Sequence, residues 1–151
     1  MPLIEAGFSN EGKADSQRLL HYGPTTQVIV CSFDIPDKIE ELKSETVFAL
    51  IDTGASQSMI DSQLATKLGL VPVDKAMVAG VGGPREHTMY LTRIVCLALE
   101  TEQYGKFLAA DLKDGDQAHE VLLGRDFLSN IIMIYDGIRA QVTLASPNKT
   151  K

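Results

Sequence analysis

The chain has 151 residues, of which 44% are hydrophobic and 23% charged, enough for one domain with a real core. Its 14 basic and 20 acidic residues leave a net charge of −6, without the clustered Lys/Arg excess of a nucleic-acid footprint. No stretch approaches the roughly 20 apolar residues of a membrane helix, so neither nucleic acid nor a bilayer is an expected partner. The start, Met1–Ser9, carries Glu5 and lacks a basic leader followed by an apolar run. A cytoplasmic location is therefore expected. Cys31 and Cys96 sit far apart in apolar runs and read as reduced core thiols. His21, His87 and His119 complete no zinc spacing with them.

Residues 1–23 are polar and broken by Gly7, Gly12 and Gly23, and read as an N-terminal extension or arm. The domain is expected over 24–145, with a polar tail at 146–151. Thr25–Phe33 is rich in β-branched residues and predicts a strand. Ile35-Pro36-Asp37-Lys38 reads as a turn, and Ile39–Ser44 as a loop or short helical turn. Thr46–Ile51 is an unbroken apolar run of strand length, suited to burial on both faces. It stops abruptly at Asp52-Thr53-Gly54-Ala55-Ser56. Asp61–Leu70 predicts a short helix, capped by Asp61 and stopped by Gly69. Lys75–Ala79 and Leu91–Glu100 predict strands joined through Gly80-Val81-Gly82-Gly83-Pro84, a hairpin with a glycine-rich tip. Lys106–Leu112 predicts another strand, and Lys113-Asp114-Gly115-Asp116 a turn. Val121–Leu123 predicts a strand leading into a short helix after Gly124, and Ile131–Leu144 a closing hairpin. Many short strands with few helices predict a mostly β, barrel- or sandwich-like fold.

The chemistry resides in Asp52-Thr53-Gly54. A carboxylate directly after a buried strand is costly unless it meets water or shares a proton with a second carboxylate. Two adjacent carboxylates cannot both ionise comfortably, so one remains an acid while the other is a base. Such a pair can take a proton from water and give one to a peptide carbonyl oxygen. Taken alone the tripeptide is common in turns. It gains meaning from the apolar strand before it, from the glycine-rich hairpin after it, and from Val121-Leu122-Leu123-Gly124-Arg125 further on.

On these three segments the sequence resembles the retropepsin-like aspartic proteases, the group of retroviral proteases and their cellular and bacterial relatives. The resemblance runs from about Thr25 to about Leu144. It implies a retropepsin-like barrel with one lobe per chain and a flap hairpin. Asp52 would be the catalytic aspartate, with Thr53, Gly54, Ala55 and Ser56 forming the active-site loop and Thr53 interlocking with its mate. Ala79, Gly80, Val81, Gly82 and Gly83 would form the flap, and Leu123, Gly124 and Arg125 would support the loop from beneath. The implied enzyme is an aspartic endopeptidase acting on extended peptide, without metal or cofactor. Leu50, Ile60, Val78, Val81 and Leu123 are the expected subsite walls. Ser56 stands where retroviral members often carry a second aspartate that pairs with the arginine after the late glycine. Arg125 must then find Asp126, Asp61 or a backbone carbonyl. Pro84 removes a backbone donor beside the flap tip.

The chain holds a single Asp-Thr/Ser-Gly, so a catalytic pair requires a homodimer with Asp52 on its two-fold axis. Ile131–Tyr135, Val142–Leu144 or the N-terminal strand are candidates for its interface. A non-catalytic dimerisation or peptide-binding module with the same fold is the alternative, favoured by Ser56. A piece of a longer polyprotein is compatible with the polar start and the Lys-rich end.

Overall fold

A computed structural model describes residues 1–113 and 118–147. Its strands are β1 (Leu3–Glu5), β2 (Ser9–Asn10), β3 (Lys13–Ala14), β4 (Thr25–Ser32), β5 (Ser44–Ile51), β6 (Met59–Asp61), β7 (Val71–Val78), β8 (Arg85–Cys96), β9 (Thr101–Ala110), β10 (Val121–Leu123), β11 (Ile132–Asp136) and β12 (Gln141–Ala145). The helices are short: α1 (Ser16–Tyr22), α2 (Ser62–Lys67) and α3 (Arg125–Leu128). Single 3₁₀ turns occupy Ile39–Glu41 and Leu97–Leu99. The turn expected at Lys113–Asp116 and the end of the polar tail lie largely outside the described residues.

Six strands close a barrel in the order β4-β5-β10-β6-β9-β8, with β8 pairing back onto β4. Closure removes the free edges that an open sheet would present. Inward-facing positions alternate along each strand, as period 2 requires. On β5 these are Val47, Ala49 and Ile51, and on β4 Val28 and Val30, all buried. Ile60, Ile94, Val121 and Leu123 fill the centre. Residues 1–23 lie against the barrel. Asp15 caps α1 by accepting from the Arg18 N–H at 3.0 Å, and Ala6 and Leu19 are buried in the core cluster.

Helix α2 starts where the sequence predicts. The Asp61 carboxylate accepts from the Leu64 N–H at 3.3 Å, and Gly69 follows the helix with φ +63°. Asp61 also accepts from the Lys113 N–H at 3.1 Å.

Strand β8 is longer than the predicted Leu91–Glu100 segment and starts at Arg85, before the residues it shares with the barrel. Met89–Cys96 pair with β9, whereas Arg85–Thr88 pair with β7 alone. The β7–β8 hairpin therefore projects beyond the barrel. Pro84 does not interrupt this ladder, because the pairing ends at Val78↔Arg85 and leaves Pro84 in the tip. The irregularity lies at the base instead, between Pro72 and Asp74.

A separate three-stranded sheet, β1-β12-β11, contains the closing hairpin. Strand β12 is central and its Val142 and Leu144 are buried. The edges of this sheet are β1 and β11.

Candidate active site

Asp52 follows the last residue of β5. Strand β10 runs parallel to β5, with Leu123 opposite Ile51. The Asp52 N–H continues this ladder by donating to Leu123 O at 2.9 Å. The next residues turn away: the Ala55 N–H returns to Asp52 O at 3.2 Å, and the Gly54 N–H donates to Asp52 Oδ1 at 2.9 Å. One carboxylate oxygen is thereby held by backbone, while the side chain remains half-buried rather than enclosed. Thr53, Gly54 and Ser56 are exposed and Ala55 is half-buried.

Gly124 and Arg125 clamp this loop from below. The Arg125 N–H donates to Ala55 O at 2.9 Å and its guanidinium to Thr53 O at 2.9 Å. Of the three partners open to Arg125, a backbone carbonyl is the one it finds; Asp126 and Asp61 are engaged elsewhere. Gly124 is required by space. A Cβ there would lie 2.8 Å from both C and O of Gln57 and 2.9 Å from Ala55 O, closer than backbone atoms tolerate.

Beneath the clamp lies a polar network that sequence reasoning missed. The buried Ser58 donates through Oγ to Asp126 Oδ1 at 2.7 Å and through its N–H to Oδ2 at 3.0 Å. Gln103 Nε2 adds a bond to Oδ2 at 2.8 Å, and the Phe127 N–H one to Oδ1 at 2.8 Å. The Gly124 N–H in turn donates to Ser58 Oγ at 3.0 Å. Burial pushes the Asp126 carboxyl up, but the bonds from Ser58, Gln103 and Phe127 outweigh it and hold it below its ordinary value. The only local signal was a serine directly preceding the apolar Met59-Ile60. Its partner is 68 residues away, brought near because β10 inserts between β5 and β6.

The flap residues Ala79–Gly83 occupy the tip of the projecting hairpin. The Gly83 N–H donates to Gly80 O at 3.1 Å, and Gly82 and Gly83 have φ +97° and +100°, a region glycine enters without penalty. Val81 is fully exposed. Among the expected walls, Leu50 and Val78 are half-buried and accessible. Ile60 and Leu123 are not walls: both are 0% exposed and belong to the core, because they point inward from β6 and β10. His87 is half-buried and its Nδ1 lies 3.1 Å from Ala109 O. Cys31 and Cys96 are free and buried, as expected. Among the described residues, no helix is long and apolar enough to cross a membrane, and no group of His, Cys, Asp or Glu could hold a metal ion.

Asp52 thus stands at the end of β5 on a loop clamped by Gly124 and Arg125, and the glycine-tipped β7–β8 hairpin projects from the same barrel. Residues 41–130, more than half of the chain, match the family described as "gag-polyprotein putative aspartyl protease". The chain belongs to that family, and its fold is retropepsin-like. No curated protein matches it. Among solved structures, it is similar to the EIAV protease complexed with the inhibitor HBY-793, at 24% identity and TM-score 0.49, covering 70% of this chain and 85% of that one. It is also similar to a retropepsin-like aspartic protease from Rickettsia conorii, at 16% identity and TM-score 0.48, covering 94% and 89% respectively.

Proposed function

We propose that this chain is a homodimeric aspartic endopeptidase in which Asp52 of each copy supplies half of the catalytic pair. The observation that carries the reading is the presentation of Asp52: one oxygen bonded to the Gly54 N–H, the side chain accessible, and the loop clamped by Arg125. Two such carboxylates about 3 Å apart share one proton. The charged one takes a proton from a bound water, whose oxygen attacks the peptide carbonyl carbon. The protonated one gives its proton to the carbonyl oxygen. On collapse of the tetrahedral intermediate the C–N bond breaks as the carboxyl that took the water proton gives it to the amine nitrogen, and the other carboxylate takes back a proton from the intermediate's hydroxyl, restoring the pair. No metal or cofactor enters this scheme. Substrate lies as an extended strand between the loop and the flap, Ala79–Gly83.

A surface suited to the second copy supports the dimer. On the β1-β12-β11 sheet, Leu3, Ala145 and Ile132 form one cross-strand row, and Ile134 aligns with Thr143 in the next. Leu3, Ile132 and Ile134 are exposed apolar residues. The sheet is tied to the catalytic end of the barrel: the Ala6 N–H donates to Val142 O, the Thr25 N–H to Ala6 O, and the Ile51 N–H to Pro24 O.

The alternative, a non-catalytic peptide-binding module, drew on Ser56 in place of an acid. The Arg125–Thr53 bond favours the enzyme, since the loop is clamped without an acid at position 56. The deciding assay compares wild type with Asp52→Asn on unfolded protein at about pH 5. Asn retains an oxygen for the Gly54 N–H, so the fold persists while cleavage is expected to vanish. Equal cleavage by both proteins refutes the proposal.

A further inference from the structure

The β7–β8 hairpin leaves the barrel where β8 stops pairing with β9. The last pair shared with β9 is Met89↔Leu108, and the last pair within the hairpin is Val78↔Arg85. The four residues from Met89 to Arg85, about 13 Å at the rise of a strand, are therefore backed by β7 alone. A two-stranded ribbon is marginally stable by itself, and this one carries the glycine-rich tip at its far end.

His87 lies within that stretch, paired with Ala76. Its ring is half-buried, and its Nδ1 lies 3.1 Å from Ala109 O. A carbonyl oxygen only accepts, so Nδ1 carries the hydrogen and the bond runs from hairpin to barrel. One more step of the β8–β9 register would bring Thr88 opposite Ala109. The imidazole thus bonds to β9 just past the point where the backbone ladder ends. Two other pairs involve the hairpin. Lys75 and Glu86, 3.5 Å apart, join its own two strands. Asp74 and Lys106 of β9, 3.3 Å apart, meet at the root, beside the bulge. Both pairs are exposed, and such pairs contribute little.

The His87 bond moves the point of support outward. From His87 to Arg85 is two residues, about 7 Å, so the free arm is halved. The anchor is firm. Ala109 pairs with Ile60 of β6, Ile60 with Val121 of β10, and Val121 with Ala49 of β5. Ile60, Val121 and Ala49 are each 0% exposed, and Asp52 follows three residues after Ala49. One row across the barrel therefore joins the root of the hairpin to the strand that carries the aspartate.

Resting on the protease reading above, we infer that His87 is a positioning residue. Its bond to Ala109 O fixes where Ala79–Gly83 stand relative to the Asp52 loop, and so favours the arrangement that holds an extended peptide. It acts through the hairpin and not on the reacting atoms.

The test uses the full chain. His87→Phe and His87→Leu remove the donor with two different shapes. His87→Asn keeps an N–H donor one atom beyond Cγ, as Nδ1 is, and serves as the rescue. Without substrate, hydrogen–deuterium exchange over residues 75–88 is expected to be about fivefold faster in the two donorless variants and close to wild type in His87→Asn. Amides of β4 and β5 should be unchanged, which reports an intact barrel. With a cleaved peptide, KM is expected to rise about fivefold in the donorless variants, with kcat within about twofold, because the carboxylates are untouched. His87→Asn should restore KM. A bond that served stability alone would leave KM where it is. Unchanged exchange, unchanged KM, or failure of His87→Asn to restore them overturns the inference. If wild type cleaves no better than Asp52→Asn, the protease reading fails instead, and the affinity of the same peptides, followed by fluorescence anisotropy, replaces KM. Binding about fivefold weaker in both donorless variants upholds the role of His87, and equal affinities or no binding overturn it.

Discussion

Replacing Gly124 by alanine tests the clamp beneath the Asp52 loop. The added Cβ would meet Gln57 C and O at 2.8 Å and Ala55 O at 2.9 Å. All three are backbone atoms, so no side chain can swing aside. Forcing a methyl into such a space costs about 1–3 kcal/mol. Moving the two segments apart also strains the Arg125 N–H bond to Ala55 O and the Gly124 N–H bond to Ser58 Oγ, each contributing about 0.5–1.5 kcal/mol. The expected loss is about 2–5 kcal/mol, a large share of the roughly 5–15 kcal/mol that holds a domain together. Gly80→Ala is the matched control, since nothing lies within 4 Å of its Cβ position; it should change stability by less than about 0.5 kcal/mol. Urea unfolding of the three proteins followed by circular dichroism measures both effects. A Gly124→Ala protein within about 1 kcal/mol of wild type would show that the loop yields easily and that the clamp is not rigid.

Further expectations concern the network, its pH response and the dimer. Ser58→Ala removes the acceptor of the buried Gly124 N–H and the hydroxyl donor to Asp126, while the backbone N–H donor persists; a loss of about 1–3 kcal/mol in urea unfolding is expected. Because the Asp126 carboxyl is held below its ordinary value in the fold, its contribution is complete above the unfolded carboxylate range, about pH 4. That contribution is lost as pH falls through the folded value. Unfolding free energies measured from about pH 6 down to pH 2 should therefore fall less steeply in Asp126→Asn than in wild type, and parallel curves would contradict this. Ile134→Lys places a charge on the exposed apolar row of β11; sedimentation is expected to show a shift from dimer to monomer, with cleavage lost alongside. An unchanged mass would assign the interface to another surface.

Much of the fold was legible in the sequence because local physics wrote it there. The apolar run Val47–Ile51 marked a strand, although its expected burial on both faces holds for one face only, since Phe48 is 52% exposed; Asp61 and Gly69 bounded a helix through capping and left-handed backbone, and four glycine or proline residues around Val81 marked a hairpin tip. Asp52 stood out because a carboxylate at the end of such a strand needs a chemical reason. What local pattern did not contain were relations between distant segments. The insertion of β10 between β5 and β6 brings Asp126 to Ser58 and Arg125 to the Thr53 carbonyl, and no periodicity encodes that pairing. The same insertion turns Ile60 and Leu123 inward, so two residues expected to touch substrate are core. His119 likewise read as one of three scattered histidines, whereas packing leaves its ring buried, with Nε2 2.7 Å from Thr25 Oγ1. Strand, cap and turn arise from neighbours a few residues apart and can be read along the chain. Clamps, networks and tethers arise from groups that meet only when the barrel closes, and there the tertiary structure alone decided.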